Sequence, residues 1–428
     1  MSGCIKMKNN IIVKNIVLLL ISILLGTVLM IGVYALPTGR IENNVERSSS
    51  LYINGENKIN NWVGNLRYGR LDNGTDSTMI NAAMCREYDS VIQNAMLNPI
   101  LVLKSEAVAD NNFSNISLLL DENNVESIMN YMRYWHGYLL YLIPGLSIFT
   151  VGELRVIMMA VQFIFAVVLL FGVGNKLGAR YMVPYIATIL FINPITTALN
   201  FQNADVYIIT MLACICIIYF NDWLNKNHRY ILLFTLIGIC TAFFDFLTYP
   251  IIGYGIPMLT YYLMNKNNLK SRIKDVVFCL IAWGFGFAGM WAGKWIVAGI
   301  LTDMNVFADV LGAFSLRSGL NNGADLDLSY YTAMISTKES FWDPANAALC
   351  ILFIISTVGV ALLNKDKFKP DFKAMLPMLL VCLSFFIWVF FVRNHYITHQ
   401  NLEYRSFAII VLCFYLLIAD LFRDKNAV

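Results

Sequence analysis

Two aspartates stand four residues apart in "LDNGTDSTMINAAM", at Asp72 and Asp76. On a helix that spacing puts both carboxylates on one side. A carboxylate so placed can take a proton from a hydroxyl as a general base. An aspartate at a helix start can equally serve as its N-cap. "RYWHGY" brings Arg133 beside His136, and "FDFLTYP" puts Asp245 at the end of an apolar run. "GMWAGKWIVAG" holds Lys294 inside another apolar run. Ionisable groups in such places are costly and are functional suspects by default. Lysine can also snorkel to a headgroup layer, and Asp245 and Lys294 are candidates to pair with each other.

"RNHYITHQNLEYR" adds His395, His399 and Arg405 between two apolar runs. Arginine and histidine together suit a phosphate, because they offer several donors and positive charge. Two histidines four apart also suit zinc, but no third ligand is evident and no glutamate follows the first. A divalent ion is conceivable at the Asp-x-Asp within "ADLDLSY", Ala324 to Tyr330. No other cofactor is implied. Tyr134, Trp135 and Tyr138 read as an aromatic belt at a membrane interface.

These groups must be positioned by membrane-spanning helices. Of the residues, 58% are hydrophobic and only 14% charged, and the mean hydropathy is +0.60. Apolar runs of about 20 residues, enough to cross a bilayer core of about 30 Å, recur along the chain. The expected fold is an all-α polytopic membrane protein with about 10–11 spans, a single integral domain over residues 1–428. The first run, Ile16 to Leu36, follows three lysines; it reads as an uncleaved span rather than a signal peptide. Residues 37–135 form a large first extracytoplasmic loop with short helices lying on the membrane surface. Gly137 to Thr150 is short, carries Pro144, and reads as re-entrant.

Basic loops set orientation. Asn175–Arg180, Asn221–Arg229, Asn265–Asp275 and Asn364–Lys373 are all basic. They are placed in the cytoplasm, as are both termini, in a multi-pass protein of the plasma membrane. The acid and base groups then collect at the outer face. There is no phosphate-cradling glycine loop, no dinucleotide-binding pattern and no nucleophile elbow. Most of the nine cysteines lie inside apolar runs, so no disulfide-stapled ectodomain is implied.

A long first outer loop carrying an acid, a "YWHGY"-type entry to the next apolar segment and basic groups at outer span ends resemble the GT-C class of membrane glycosyltransferases. The resemblance implies sugar transfer from a polyprenyl-phosphate carrier to a glycan, lipid or protein acceptor at the outer leaflet. It implies a carboxylate base, for which Asp76 fits best and Asp72 second. It implies cations that stabilise the leaving phosphate, a set drawn from Arg133, His136, Lys294, His395, His399 and Arg405, with Asp245 beside them. The bilayer is the other partner, and nucleic acid is not one. A lipid-linked-sugar flippase or a polysaccharide polymerase or ligase is the alternative.

Overall fold

The computed structural model describes residues 2–48, 71–104, 116–265, 267–318, 351–352, 355 and 372–421. The Asp-x-Asp of Ala324–Tyr330, most of the Asn364–Lys373 loop and the C-terminal basic segment lie outside the described residues. What is described is mostly helical. Among the described residues four stretches are long and apolar enough to cross a membrane: Ile11–Tyr34, Val151–Lys176, Phe201–Phe244 and Leu269–Thr302.

The first belongs to α1 (Ser2–Tyr34). Next come α2 (Gly39–Glu46), α3 (Asn73–Met84) and α4 (Val91–Leu97). Strands β1 (Pro99–Leu103) and β2 (Val125–Asn130) pair antiparallel in a ribbon, with Ile100 opposite Met129. This ribbon corrects the expectation of surface helices alone in the first loop. Asn98, in the left-handed conformation at φ 48°, ends α4 and turns the chain into β1. Asn81 clamps α3 to the ribbon, donating to Leu101 O at 2.8 Å and accepting from Leu101 N at 2.9 Å.

Helix α5 (Leu139–Leu146) has eight residues. At about 1.5 Å per residue it extends about 12 Å, too short to cross a bilayer. Then follow α6 (Val151–Lys176), α7 (Met182–Ile192) and α8 (Pro194–Leu199). The break between α7 and α8 is chemical. Pro194 has no amide to continue the ladder, and Asn193 at φ 64° caps α8 by accepting from Thr196 N. The 201–244 stretch is a hairpin of α9 (Phe201–Asn225) and α10 (Arg229–Phe244). Asn227 and His228, both at φ 56°, make the turn. Helices α11 (Ile252–Met264), α12 (Leu269–Thr302) and α13 (Val306–Ser318) follow. After the undescribed stretch come α14 (Phe372–Phe391), α15 (Arg393–Thr398), α16 (Gln400–Glu403) and α17 (Ala408–Leu421).

Helices α10 and α12 approach closely through small residues. A methyl group on Gly238 would collide with the Trp283 carbonyl oxygen, and one on Gly286 with the Thr235 carbonyl oxygen. Backbone cannot yield as a flexible side chain can. Gly238→Ala should therefore cost about 1–3 kcal/mol, the usual penalty of overpacking. A lower midpoint of thermal unfolding checks it; an unchanged midpoint would show that the helices can separate freely.

The bundle has two chemically distinct ends. Tyr34 at the end of α1, Arg155 early in α6, Gln202 at the start of α9 and Lys294 late in α12 all contact the 72–98 segment. The opposite end carries Asn221, Asn225 and Asn265, which bond one another, and Tyr230, which donates to Asp275. The basic segments Asn221–Arg229 and Asn265–Asp275 lie at this second end.

Candidate functional site

Asp72 is the N-cap of α3, as its position allowed. Its carboxylate accepts from Thr75 N at 3.0 Å and from the Thr75 hydroxyl at 2.8 Å. Asp76, one turn on, is fully buried. Arg155 of α6 meets it at 2.7 Å and also donates to Asn73. The Gln202 backbone amide reaches its other oxygen at 3.4 Å. Burial lifts the Asp76 carboxyl to about 6, and the facing Arg155 charge opposes the rise. Asp76 therefore titrates close to neutrality, where a general base works best.

Asp245 follows the last residue of α10 and is buried. It accepts from the Leu247 and Thr248 amides and from the Thr248 hydroxyl at 2.6 Å. These bonds hold Leu247 at φ 81°, which strains a branched side chain. The Leu247 carbonyl is thereby turned to accept from His395 Nε2 at 2.6 Å. Burial raises the Asp245 carboxyl to about 6. The expected pairing of Asp245 with Lys294 is corrected: Lys294 donates to Ala95 O and to Asn98 Oδ1 instead. Its ammonium also sits over the Trp135 ring.

His136 is buried at φ 55°. Its Nε2–H donates to Tyr131 O at 2.7 Å, and its Nδ1 accepts from the Tyr138 hydroxyl at 2.9 Å. Burial pushes this imidazole down to about 3, so it is neutral and both nitrogens are spent within the fold. Arg133 is occupied too, with one nitrogen 2.7 and 2.9 Å from the two oxygens of Asp309. The aromatic belt expected here is also corrected. Tyr134, Trp135 and Tyr138 are buried inside the protein, and Trp135 Nε1 donates to Met290 O.

Arg405 is 1% exposed. Its Nε donates to Ile192 O at 2.9 Å and its Nη2 to the Thr196 hydroxyl at 2.8 Å. The Asn193–Pro194 break strands the Ile192 carbonyl, and Arg405 satisfies it. This arginine mends a helix break rather than facing a cleft. His395 is buried against His399, ring centroids 4.5 Å apart. Glu403, unnoticed in the sequence, is fully buried, accepts from Ser406 at 2.9 Å and lies 3.8 Å from His395 Nε2. Burial pushes the His395 imidazole down and the Glu403 carboxyl up from their ordinary ranges.

One cation remains. Arg317 of α13 lies over the Tyr134 ring at 5.2 Å and makes no ion pair among the described residues. Asn394 fixes its neighbour, donating to Leu316 O at 2.5 Å. The Arg317 charge acts on both histidines and, after burial, is the next cause that lowers His399. The Asp72 charge opposes that shift. His399 is exposed, and Arg317 and Asp72 are half-buried. Asp245 reaches His395 through the Leu247 backbone, and Glu403 lies beside His395, so these three form one buried polar group next to the exposed His399. Lys294, Arg133 and His136 belong to the neighbouring α4–α12–α13 contact. Arg317 was missed in the sequence; a lone arginine in the otherwise largely apolar stretch Val306–Ser318 was its only signal.

No group of three or more histidine, cysteine or acidic side chains is arranged to hold a metal among the described residues. A separate cavity of about 620 Å³ lies at the opposite end, bordered by Asn15, Tyr230, Lys274 and Asp275, far from this cluster. No family model, curated protein or solved structure matches the chain.

Proposed function

We propose that this chain is a polytopic membrane glycosyltransferase of GT-C type, with the basic-loop end in the cytoplasm and the cluster at the outer face. The observation that carries this reading is Arg317, half-buried and without an ion pair among the described residues, whose charge acts on the exposed His399 together with that of Asp72. A half-buried arginine costs free energy unless an anion meets it. A lipid phosphate at the outer headgroup level is such an anion. The apolar stretches and the segregation of basic loops support the membrane setting.

In the reaction, Asp76 takes the proton of an acceptor hydroxyl. The hydroxyl oxygen forms its bond to the anomeric carbon as the bond from that carbon to the carrier phosphate breaks. The electron pair leaves on the phosphate, and Arg317 and His399 offset the charge that develops there. Asp72 caps the helix that holds Asp76, and Arg155 keeps Asp76 ionised above about pH 6. The flippase alternative draws on the α7–α8 break, since transporters bind substrate at interrupted helices. The two part on one measurement: purified protein should release sugar from a polyprenyl-phosphate hexose, which a flippase leaves intact.

A further inference from the structure

The start of α9 carries a group of polar side chains that the reaction above does not use. Asn200, Gln202 and Asn203 are each 1% exposed. Among the described residues the Asn200 side-chain oxygen and both side-chain polar atoms of Gln202 and of Asn203 find no hydrogen-bond partner. Asn200 occupies the N-cap position of α9, where an asparagine ordinarily accepts from the next turn, and it makes no such bond. Three neighbouring buried amides left this way are costly to the fold, so they need a partner from outside it.

Their surroundings define that partner. Asp205 lies one turn further along α9 and accepts from the Tyr141 hydroxyl at 3.3 Å. The Tyr249 hydroxyl bonds the Asn203 carbonyl. Gln202 reaches Asp76 through its backbone amide. The cations beside this group are both engaged, Arg155 over the Phe201 ring by Asp76 and Arg405 over the Tyr249 ring by Ile192 O and Thr196. Amides offer donors and acceptors together, and the carboxylates accept only. This chemistry disfavours an anion and suits a neutral ligand rich in hydroxyls, each of which both donates and accepts. Phe201, Tyr141 and Tyr249 supply apolar surface beside them.

We propose that Asn200, Gln202 and Asn203 form the subsite that holds the hydroxyls of a sugar ring, next to Asp76. The assignment rests on the transferase reading and deepens it. The carrier phosphate is gripped separately, at Arg317 and His399. Recognition of the sugar and of the carrier are thus separable by mutation.

The test uses the full chain in phospholipid nanodiscs, which avoids sugar-based detergents. Binding is measured for a polyprenyl phosphate and for the same lipid bearing glucose, galactose or mannose. The parent should prefer at least one glycosylated lipid by roughly tenfold or more, the worth of a few hydrogen bonds. Gln202→Met and Asn203→Leu, with unchanged thermal unfolding, should reduce that ratio to about one while affinity for the bare lipid stays within roughly twofold. A parent without preference, or folded variants that keep it, overturns the subsite. If the parent binds neither lipid, the transferase reading fails, and methyl hexopyranosides then decide the subsite alone. Stabilisation of the parent by one of them, lost in Gln202→Met, supports it. No stabilisation by any of them, or only by water-structuring concentrations that act equally on both variants, overturns it.

Discussion

Asp76→Asn should abolish sugar transfer and also weaken the fold, and Arg155→Met in the same chain should repair only the fold. Asp76 and Arg155 form a buried pair at 2.7 Å. Removing one charge strands the other, at a typical cost of about 3–5 kcal/mol, whereas removing both is often close to neutral. Loss of a general base costs about 100-fold or more in rate. The single variant therefore confounds two effects, and the double variant separates them. Recovered stability with transfer still down about 100-fold assigns Asp76 to the chemistry. Recovery of both would make the pair structural and pass the base role to Asp72. The pH dependence has a definite sign. The Asp76 carboxyl rises from 3.8 to about 6 on folding. Between those values the native chain binds more protons than the unfolded chain at this site. The site's contribution to stability therefore falls as pH rises through that window, while activity rises with an acid limb near 6.

Arg317→Ala should weaken binding of a polyprenyl phosphate by about 10- to 100-fold, the range expected for charge-assisted hydrogen bonds. Arg317→Lys should fall between the parent and the alanine variant, because lysine keeps the charge and loses the planar fork. Raised salt should narrow the difference, since the site is reached by solvent. Arg405→Lys should do the reverse. It removes the bonds to Ile192 O and Thr196, lowers thermal stability, and leaves the lipid affinity of the folded fraction unchanged. Equal lipid binding by the parent and Arg317→Ala, measured in nanodiscs, would remove the anion site.

The contrast between these arginines shows what sequence could and could not supply. Arg405 drew attention because it opens an apolar run beside two histidines. Its actual partner, the Ile192 carbonyl, is freed by a helix break more than 200 residues earlier, and such long-range satisfaction leaves no local pattern. Arg317 has nothing beside it in sequence to mark it, and that it makes no ion pair among the described residues appears only once α13 is placed. The capping role of Asp72 was legible from Asp-x-x-Thr at a helix start. The burial of Asp76 was not, because its partner sits in α6. Of the roughly 10–11 spans that the apolar runs led us to expect, four stretches among the described residues are long and apolar enough to cross a membrane, because several runs are broken by proline or asparagine into shorter helices such as α7 and α8. The β ribbon was missed, since "PILVL" is too short for its period to separate strand from helix. The aromatic run 134–138 matched an interfacial belt by composition, yet it is drawn into the core by the Trp135 bond to α12.

The most direct measurement is sugar release from polyprenyl-phosphate hexoses by the purified full chain in nanodiscs, set against the Asp76→Asn, Arg155→Met variant at equal folded amounts. The account predicts that the parent releases or transfers the hexose from at least one donor, that bare polyprenyl phosphate accumulates in equal amount, and that the double variant does neither. A parent that binds the donors but returns every one of them intact, whether or not it moves them across the bilayer, contradicts it.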